Sequence, residues 1–282
     1  MILVTGATGM VGREVVRGLP ADAAVRILAR DPARVFGAPS HAEIVPGDYG
    51  DPKSLANALC GVRSAFLVTN RVGGDQDACF LRAARSAGVR HVVKLSAAAV
   101  EDCQADDLIT RWQRGNEDLL RDSGMEWTLL RPRSFMSNTL SWAASVRSEH
   151  VVRALYGSSA NACVDPRDIA DAAVRALTEP GHAGRAYTLT GPRAITAVEQ
   201  TAQLAGLLGR PLRFEELGPE QARALLGTRH PAPVVEALLH SARRQRDGAK
   251  ARVENTVAEL AGRPARSFRA WAGNHLAAFM PA

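Results

Sequence analysis

The apolar run Ile2-Leu3-Val4 passes through Thr5 directly into Gly6-Ala7-Thr8-Gly9-Met10-Val11-Gly12, and apolar residues at helical spacing begin at Val11. Three glycines at this spacing between a strand and a helix leave few folds open. The first permits a tight turn, the second lets backbone N–H groups approach a pyrophosphate, and the third allows the helix to pack closely on the strand. The helix N-terminus then supplies the positive end of its dipole to the anion. The expectation is a dinucleotide held by Gly6, Thr8, Gly9, Met10 and Val11.

Such a turn belongs to a parallel sheet, and the chain continues in that manner. β-rich runs at residues 2–5, 24–28, 43–45, 65–68, 91–95 and 127–130 alternate with helical spacing at 11–19, 52–59, 76–87 and 107–122. Strands alternating with helices indicate crossover units, so six strands in a doubly wound α/β sheet are predicted, with ligands outside their carboxyl ends. After Pro132 longer helical stretches take over, with β-like interruptions near 186–189 and 212–215. The expected organisation is a Rossmann domain over 1–190 and a smaller, mostly helical lobe over 191–282. That lobe, with contributions from 133–164, would cover the acceptor.

Composition narrows the function classes. With 282 residues, 46% apolar and 23% charged, the chain has the makings of a sizeable core. Met1 leads straight into the first strand, with no secretory signal pattern, and no run of about 18 apolar residues suits a bilayer, so a cytoplasmic protein with no membrane partner is expected. Cys60, Cys79, Cys103 and Cys163 are widely spaced, without a C-x-x-C pair, and read as buried reduced thiols. The seven His form no metal-binding pattern, so no metal is expected. Ser96 lies in Leu95-Ser96-Ala97 rather than a nucleophile elbow, which argues against a hydrolase. The net charge of +6 resides largely in the carboxyl-terminal stretch, where Arg243, Arg244, Arg246, Lys250 and Arg252 read as a solvated helix face. Without interleaved aromatics or a reading motif, that stretch does not suggest nucleic acid.

The second predicted strand ends in Ala29-Arg30-Asp31-Pro32, about 20 residues beyond the glycines, where the adenosine ribose is contacted in such folds. An acidic residue there favours NAD, whereas Arg pairs with the 2′-phosphate of NADP. Asp31 is also placed to cap a helix starting at Pro32. Arg30 and NADP are therefore favoured, and NAD is the weaker expectation. Asp48 and Tyr49, after the third strand, are placed to border the adenine.

Further motifs lie at 47–48, 87–96, 123–132, 164–171, 189–192 and 262–264, including Val89-Arg90-His91-Val92-Val93-Lys94-Leu95-Ser96 and Leu130-Arg131-Pro132. With the glycine loop they give a chain that resembles the NmrA-like branch of the atypical short-chain dehydrogenase/reductases over nearly its whole length. The resemblance implies a nicotinamide near Thr69, Asn70, Ser96 and the Pro132–Phe135 turn. Carbonyl-reducing members of the superfamily use a Tyr and, four residues later, a Lys on one helix; here those positions fall on Ile109 and Gln113. NmrA-like reductases often carry His at the latter, so the chain departs from them too. Ile109 has no proton to give, and the Gln113 amide is a neutral donor.

Losing a positioned general acid costs about 10²–10⁴ in rate, which disfavours unactivated ketones. Quinones, enones and iminium ions spread or already neutralise the incoming charge. The expectation is therefore an NADPH-dependent reductase of a small conjugated acceptor in specialised metabolism, with Ser96 and Gln113 donating hydrogen bonds to it. Lys94 is read as structural. Trp112, Phe135, Met136, Asn138 and Trp142 are predicted to wall the acceptor pocket. Two alternatives remain: a silent NADP-binding regulator, or a redox-neutral enzyme on a polyketide-like substrate. Oligomeric state is left open.

Overall fold

The structure is a computed structural model that describes residues 1–281. Its strands are β1 (Ile2–Thr5), β2 (Val25–Ala29), β3 (Glu43–Pro46), β4 (Ser64–Leu67), β5 (His91–Leu95), β6 (Glu126–Pro132), β7 (Val151–Ala154), β8 (Arg185–Leu189) and β9 (Arg213–Glu216). The α-helices are α1 (Met10–Gly18), α2 (Pro52–Leu59), α3 (Gln76–Ser86), α4 (Leu108–Arg121), α5 (Ala143–Glu149), α6 (Pro166–Thr178), α7 (Ala197–Leu208), α8 (Pro219–Gly227), α9 (Ala232–Arg246), α10 (Thr256–Ala261) and α11 (Phe268–Asn274). They form two compact units: one of Met1–Cys103, Thr110–Pro132 and Pro166–Leu189, the other of Gln104–Ile109, Arg133–Asp165 and the described residues from Thr190 onward.

The first unit is a parallel sheet in the order β3-β2-β1-β4-β5-β6-β8. Its central strands carry near-continuous apolar runs because helices cover both faces. On one face Leu55, Leu59, Phe80 and Leu120, from α2, α3 and α4, pack with Leu67 and Leu129 of the sheet. Burying each such side chain stabilises by about 1.5–3 kcal/mol relative to exposure. On the other face α1 and α6 pack together, and a Cβ on Gly18 would come within 3.2 Å of Val174 Cγ2. Asp51 starts α2, its carboxylate accepting from the Lys53 N–H at 3.0 Å with Pro52 in the first turn.

Two strand expectations need correction. The sheet has seven strands rather than six, because β8 pairs with β6 from Thr128↔Arg185 to Pro132↔Leu189. β8 is the β-like stretch near 186–189; its outer residues Arg185 and Ala186 are exposed, as an edge strand allows, so its pattern does not announce that it joins the main sheet. In the second unit β7 went unrecognised. It follows His150, whose φ of 59° ends α5, and it pairs in parallel with β9.

The second unit has its own core around Trp271 and Phe279, both fully buried, with Phe268 stacked on Trp271 at 5.7 Å. A capping box between Thr196 and Glu199 starts α7. The thiol expectation also fails in part: Cys163 is buried, but Cys60 and Cys103 are exposed. Cys60 caps the end of α2 and Cys103 follows a 3-10 turn, positions where the chain reaches the surface. Among the described residues no helix is long and apolar enough to cross a membrane.

Candidate cofactor and acceptor site

The glycine loop is built largely from backbone. Thr5 donates from Oγ1 to the Phe66 carbonyl at 2.9 Å and accepts from the Val68 N–H at 2.9 Å, tying the end of β1 to β4. Gly6 then turns with φ of 67°, and the Gly9 N–H closes the turn on the Gly6 carbonyl at 2.9 Å. A Cβ on Gly12 would lie 2.3 Å from that same carbonyl oxygen, a distance no side chain tolerates. Gly9 is the N-cap of α1 and no side chain caps it, so the first-turn N–H groups are left for an anion. This arrangement fits a pyrophosphate.

Gly6, Thr8, Gly9, Arg30, Asp48 and Tyr49 line one pocket of about 170 Å³, together with Asn70. Met10 is exposed at the helix start, whereas Val11 packs inward and offers only its backbone. Asp31 caps the turn at Pro32, accepting from the Ala33 N–H at 3.1 Å, while Arg30 remains exposed on the pocket wall. Asp48 accepts from the Gly50 N–H at 2.8 Å and so shapes its own loop. Tyr49 donates to the Val68 carbonyl at 2.7 Å, and burial pushes its phenol above the usual range. Its hydroxyl is therefore a tether, with the ring left to border a ligand.

Beyond this pocket, two buried carboxylates organise the carboxyl ends of β4, β5 and β6. Asp77, on α3, ion-pairs with Lys94, and both side chains are fully buried; Thr69 donates to Asp77 at 2.6 Å. Lys94 is thus structural, as expected. Glu117, on α4, is equally buried and accepts from Ser96 Oγ at 2.6 Å, from Arg131 Nε at 2.9 Å and Nη2 at 2.5 Å, and from Arg121 at 2.8 Å. Burial alone would raise its pKa, but the hydrogen bonds from Arg131 and Ser96 prevail and hold it below the usual carboxylate range. Arg131 also reaches Glu101 at 3.1 Å, which accepts from Thr188 of β8 at 2.6 Å.

The Glu117 network corrects the reading of Ser96. An ionised carboxylate can only accept, so the single Ser96 hydroxyl proton is committed to Glu117. Ser96 faces any ligand as an acceptor, not as a donor. Gln113 is buried rather than at the surface, and its Oε1 has no partner; neither does Nδ2 of Asn116, one turn along. Glu117 escaped notice as a functional residue, although a signal existed. The buried side of α4 is Thr110, Gln113, Asn116, Glu117 and Leu120, and an otherwise polar stripe where a core-facing helix should be apolar marks a site.

The predicted acceptor walls divide between the units. In the first, Trp112 donates from its indole to the Gly74 carbonyl at 3.2 Å, while Pro132 ends β6. In the second, Phe135 bridges to Val164, Asn138 is exposed and Trp142 packs against the unit's core. Met136 needs correction as a wall. It is 1% exposed, inside that core, and leaves no surface for a ligand. The basic tail is corrected as well: Arg244 and Lys250 are partly buried, and Lys250 lies beyond α9 rather than on a solvated face.

A sequence profile described as NAD(P)H-binding matches residues 6–180. The chain is 59% identical over 281 residues to (4-alkanoyl-5-oxo-2,5-dihydrofuran-3-yl)methyl phosphate reductase of Streptomyces griseus, covering 100% of both chains. It is 37% identical over 285 residues to NAD(P)H azoreductase of Xenophilus azovorans, covering 99% of both. Among solved structures, an NADPH-dependent quinone oxidoreductase of Escherichia coli, complexed with NADPH, matches with a TM-score of 0.84 and 27% identity over 98% of this chain and 99% of that one. The chain thus belongs to the NAD(P)H-binding family, as an NmrA-like atypical short-chain reductase.

Proposed function

We propose that the protein uses NADPH to reduce the ring double bond of a phosphorylated 4-acyl-5-oxo-2,5-dihydrofuran, the class of acceptor named for its Streptomyces griseus relative. Cofactor binding falls to the first unit. The carrying observation is the Ser96–Glu117 hydrogen bond of 2.6 Å, which leaves Ser96 no proton to give. With Ile109 and Gln113 four residues apart on α4, the reading supplies no general acid. It therefore requires an acceptor that needs none.

When bound, the reduced nicotinamide supplies a hydride. Ring carbon 3 of such an acceptor is conjugated to both the lactone and the acyl carbonyl. As it gains the hydride, the π pair of the ring double bond moves to carbon 4 and spreads over both carbonyl oxygens. Water then protonates carbon 4. The residues' tasks are to hold and orient: Gly6, Gly9 and the α1 N-terminus take the pyrophosphate, Arg30 pairs with the 2′-phosphate, and Ser96 accepts from a ligand N–H. The unpartnered Gln113 Oε1 is available to accept from either ligand.

Reduction with NADPH carrying deuterium at the transferable position tests this reading. Mass spectrometry and NMR should find the label on ring carbon 3. Label on the acyl carbon, as an alcohol product would show, or no reduction of this acceptor class, would overturn it.

A further inference from the structure

The connection from β4 to α3 runs beside the glycine turn and is held there by side chains rather than by a ladder. A Cβ on Gly6 would stand 3.0 Å from the Cβ of Val68, so the two turns touch. Val68 is tied by Thr5 and Tyr49, Thr69 by Asp77, and the Gly74 carbonyl by the Trp112 indole. All of these groups lie in the first unit.

Gln76, the first residue of α3, closes the connection. Its Oε1 accepts from the Arg71 N–H at 3.1 Å and from the Asn70 N–H at 3.4 Å. Backbone N–H groups can only donate, so they settle which end of the Gln76 amide is the oxygen. Nε2, with two N–H donors, is then the end turned away from the loop. It has no partner among the described residues, although Gln76 lines the same cavity as Gly6, Thr8 and Gly9. An amide pinned at its oxygen by two backbone bonds presents its donors in a fixed direction, and little side-chain freedom is lost when a ligand takes them.

We infer that Gln76 contacts the cofactor: Nε2 donates to an oxygen of the dinucleotide's diphosphate, while Oε1 holds the loop at Asn70 and Arg71. The assignment rests on the glycine turn taking the diphosphate, as proposed above, and gives that anion a side-chain donor besides the backbone N–H groups of α1. A diphosphate oxygen carries charge and only accepts, which makes it the strongest partner for an N–H donor in this cavity.

Two variants separate the two ends of the amide. Gln76→Glu keeps an oxygen for the Asn70 and Arg71 N–H groups and sets a second oxygen, with negative charge, where Nε2 stood. Gln76→Met removes both ends. In fluorescence titrations with NADPH, Q76E should bind at least about tenfold more weakly than wild type, as loss of a charge-assisted hydrogen bond predicts. Because like charges would then face each other, that gap should narrow severalfold between about 0.05 M and about 0.5 M salt. Hydrogen exchange of the Arg71 amide, read by NMR, should stay as slow in Q76E as in wild type and quicken in Q76M. Affinity in Q76E equal to that of wild type, or a gap indifferent to salt, overturns the contact; a ribose hydroxyl in place of the diphosphate would donate to the new carboxylate and leave affinity intact. Quickened exchange in Q76E overturns the orientation of the amide and the assignment with it. If Gly12→Ala also binds NADPH as wild type does, the reading of the glycine turn fails too; if Q76E alone does, only the assignment of Gln76 fails.

Discussion

The glycine loop and the Glu117 network lie in the same unit, yet they are made of different materials. The loop is backbone and missing side chains: Gly6 at positive φ, Gly12 with no room for a Cβ, and a helix start without a side-chain cap. The network is charge held in the interior, with one fully buried carboxylate taking bonds from Ser96, Arg121 and Arg131. One stores its function in shape, the other in electrostatics. They should fail in different ways.

The largest effect is expected at the network. Glu117→Gln leaves Arg131 partly buried opposite a neutral amide, and breaking a buried pair costs about 3–5 kcal/mol. Thermal denaturation should show a fall of about 10 °C. Acid should mimic the variant. The folded-state pKa of Glu117 is depressed, so its contribution is fully present above the unfolded-state value and is lost as pH falls through the folded one. Wild type and variant should therefore converge in strong acid. A stability gap that persists there would mean that the network is not electrostatic.

The loop should behave in the opposite manner. Gly12→Ala places a methyl group against the Gly6 carbonyl, and overpacking of this kind costs about 1–3 kcal/mol. We expect NADPH affinity, read by fluorescence titration, to fall by up to about 100-fold. The Tm should change less than in E117Q, and the reverse order would dissolve the contrast. Next in size is Arg30→Ala, which should shift the NADPH-to-NADH preference about tenfold, the low end for a charge-assisted bond at an exposed position. Equal losses with both cofactors would remove Arg30 from the 2′-phosphate.

Legibility in the sequence follows the same division. The loop was readable because its constraints are local: seven consecutive residues declare the turn, and Asp31-Pro32 declares the cap that leaves Arg30 to the ligand. The network was not, because Ser96, Glu117, Arg131, Glu101 and Thr188 are brought together by strand order, and no spacing announces that order. The sequence marks Ser96 but not the polarity of its hydroxyl, since only its partner decides which way the proton points. Met136 followed the cofactor turn in sequence and still belonged to a core. Lys250 read as one more solvated cation until the turn after α9 returned it to Arg133.

The smallest predicted effect is on Ser96. As an acceptor that orients a ligand, its change to Ala should lower kcat/KM by less than tenfold, whereas a general acid would cost about 10²–10⁴. A loss in the larger range would show that the Ser96 proton takes part in the reaction.

Most direct is a side-by-side measurement of NADPH-dependent kcat/KM on a phosphorylated 4-acyl-5-oxo-2,5-dihydrofuran and on a plain aliphatic ketone. A site that holds its acceptor without a proton donor should favour the first by at least about 10³, within the range by which a missing acid slows reduction of a ketone. Comparable turnover of the two would contradict the account.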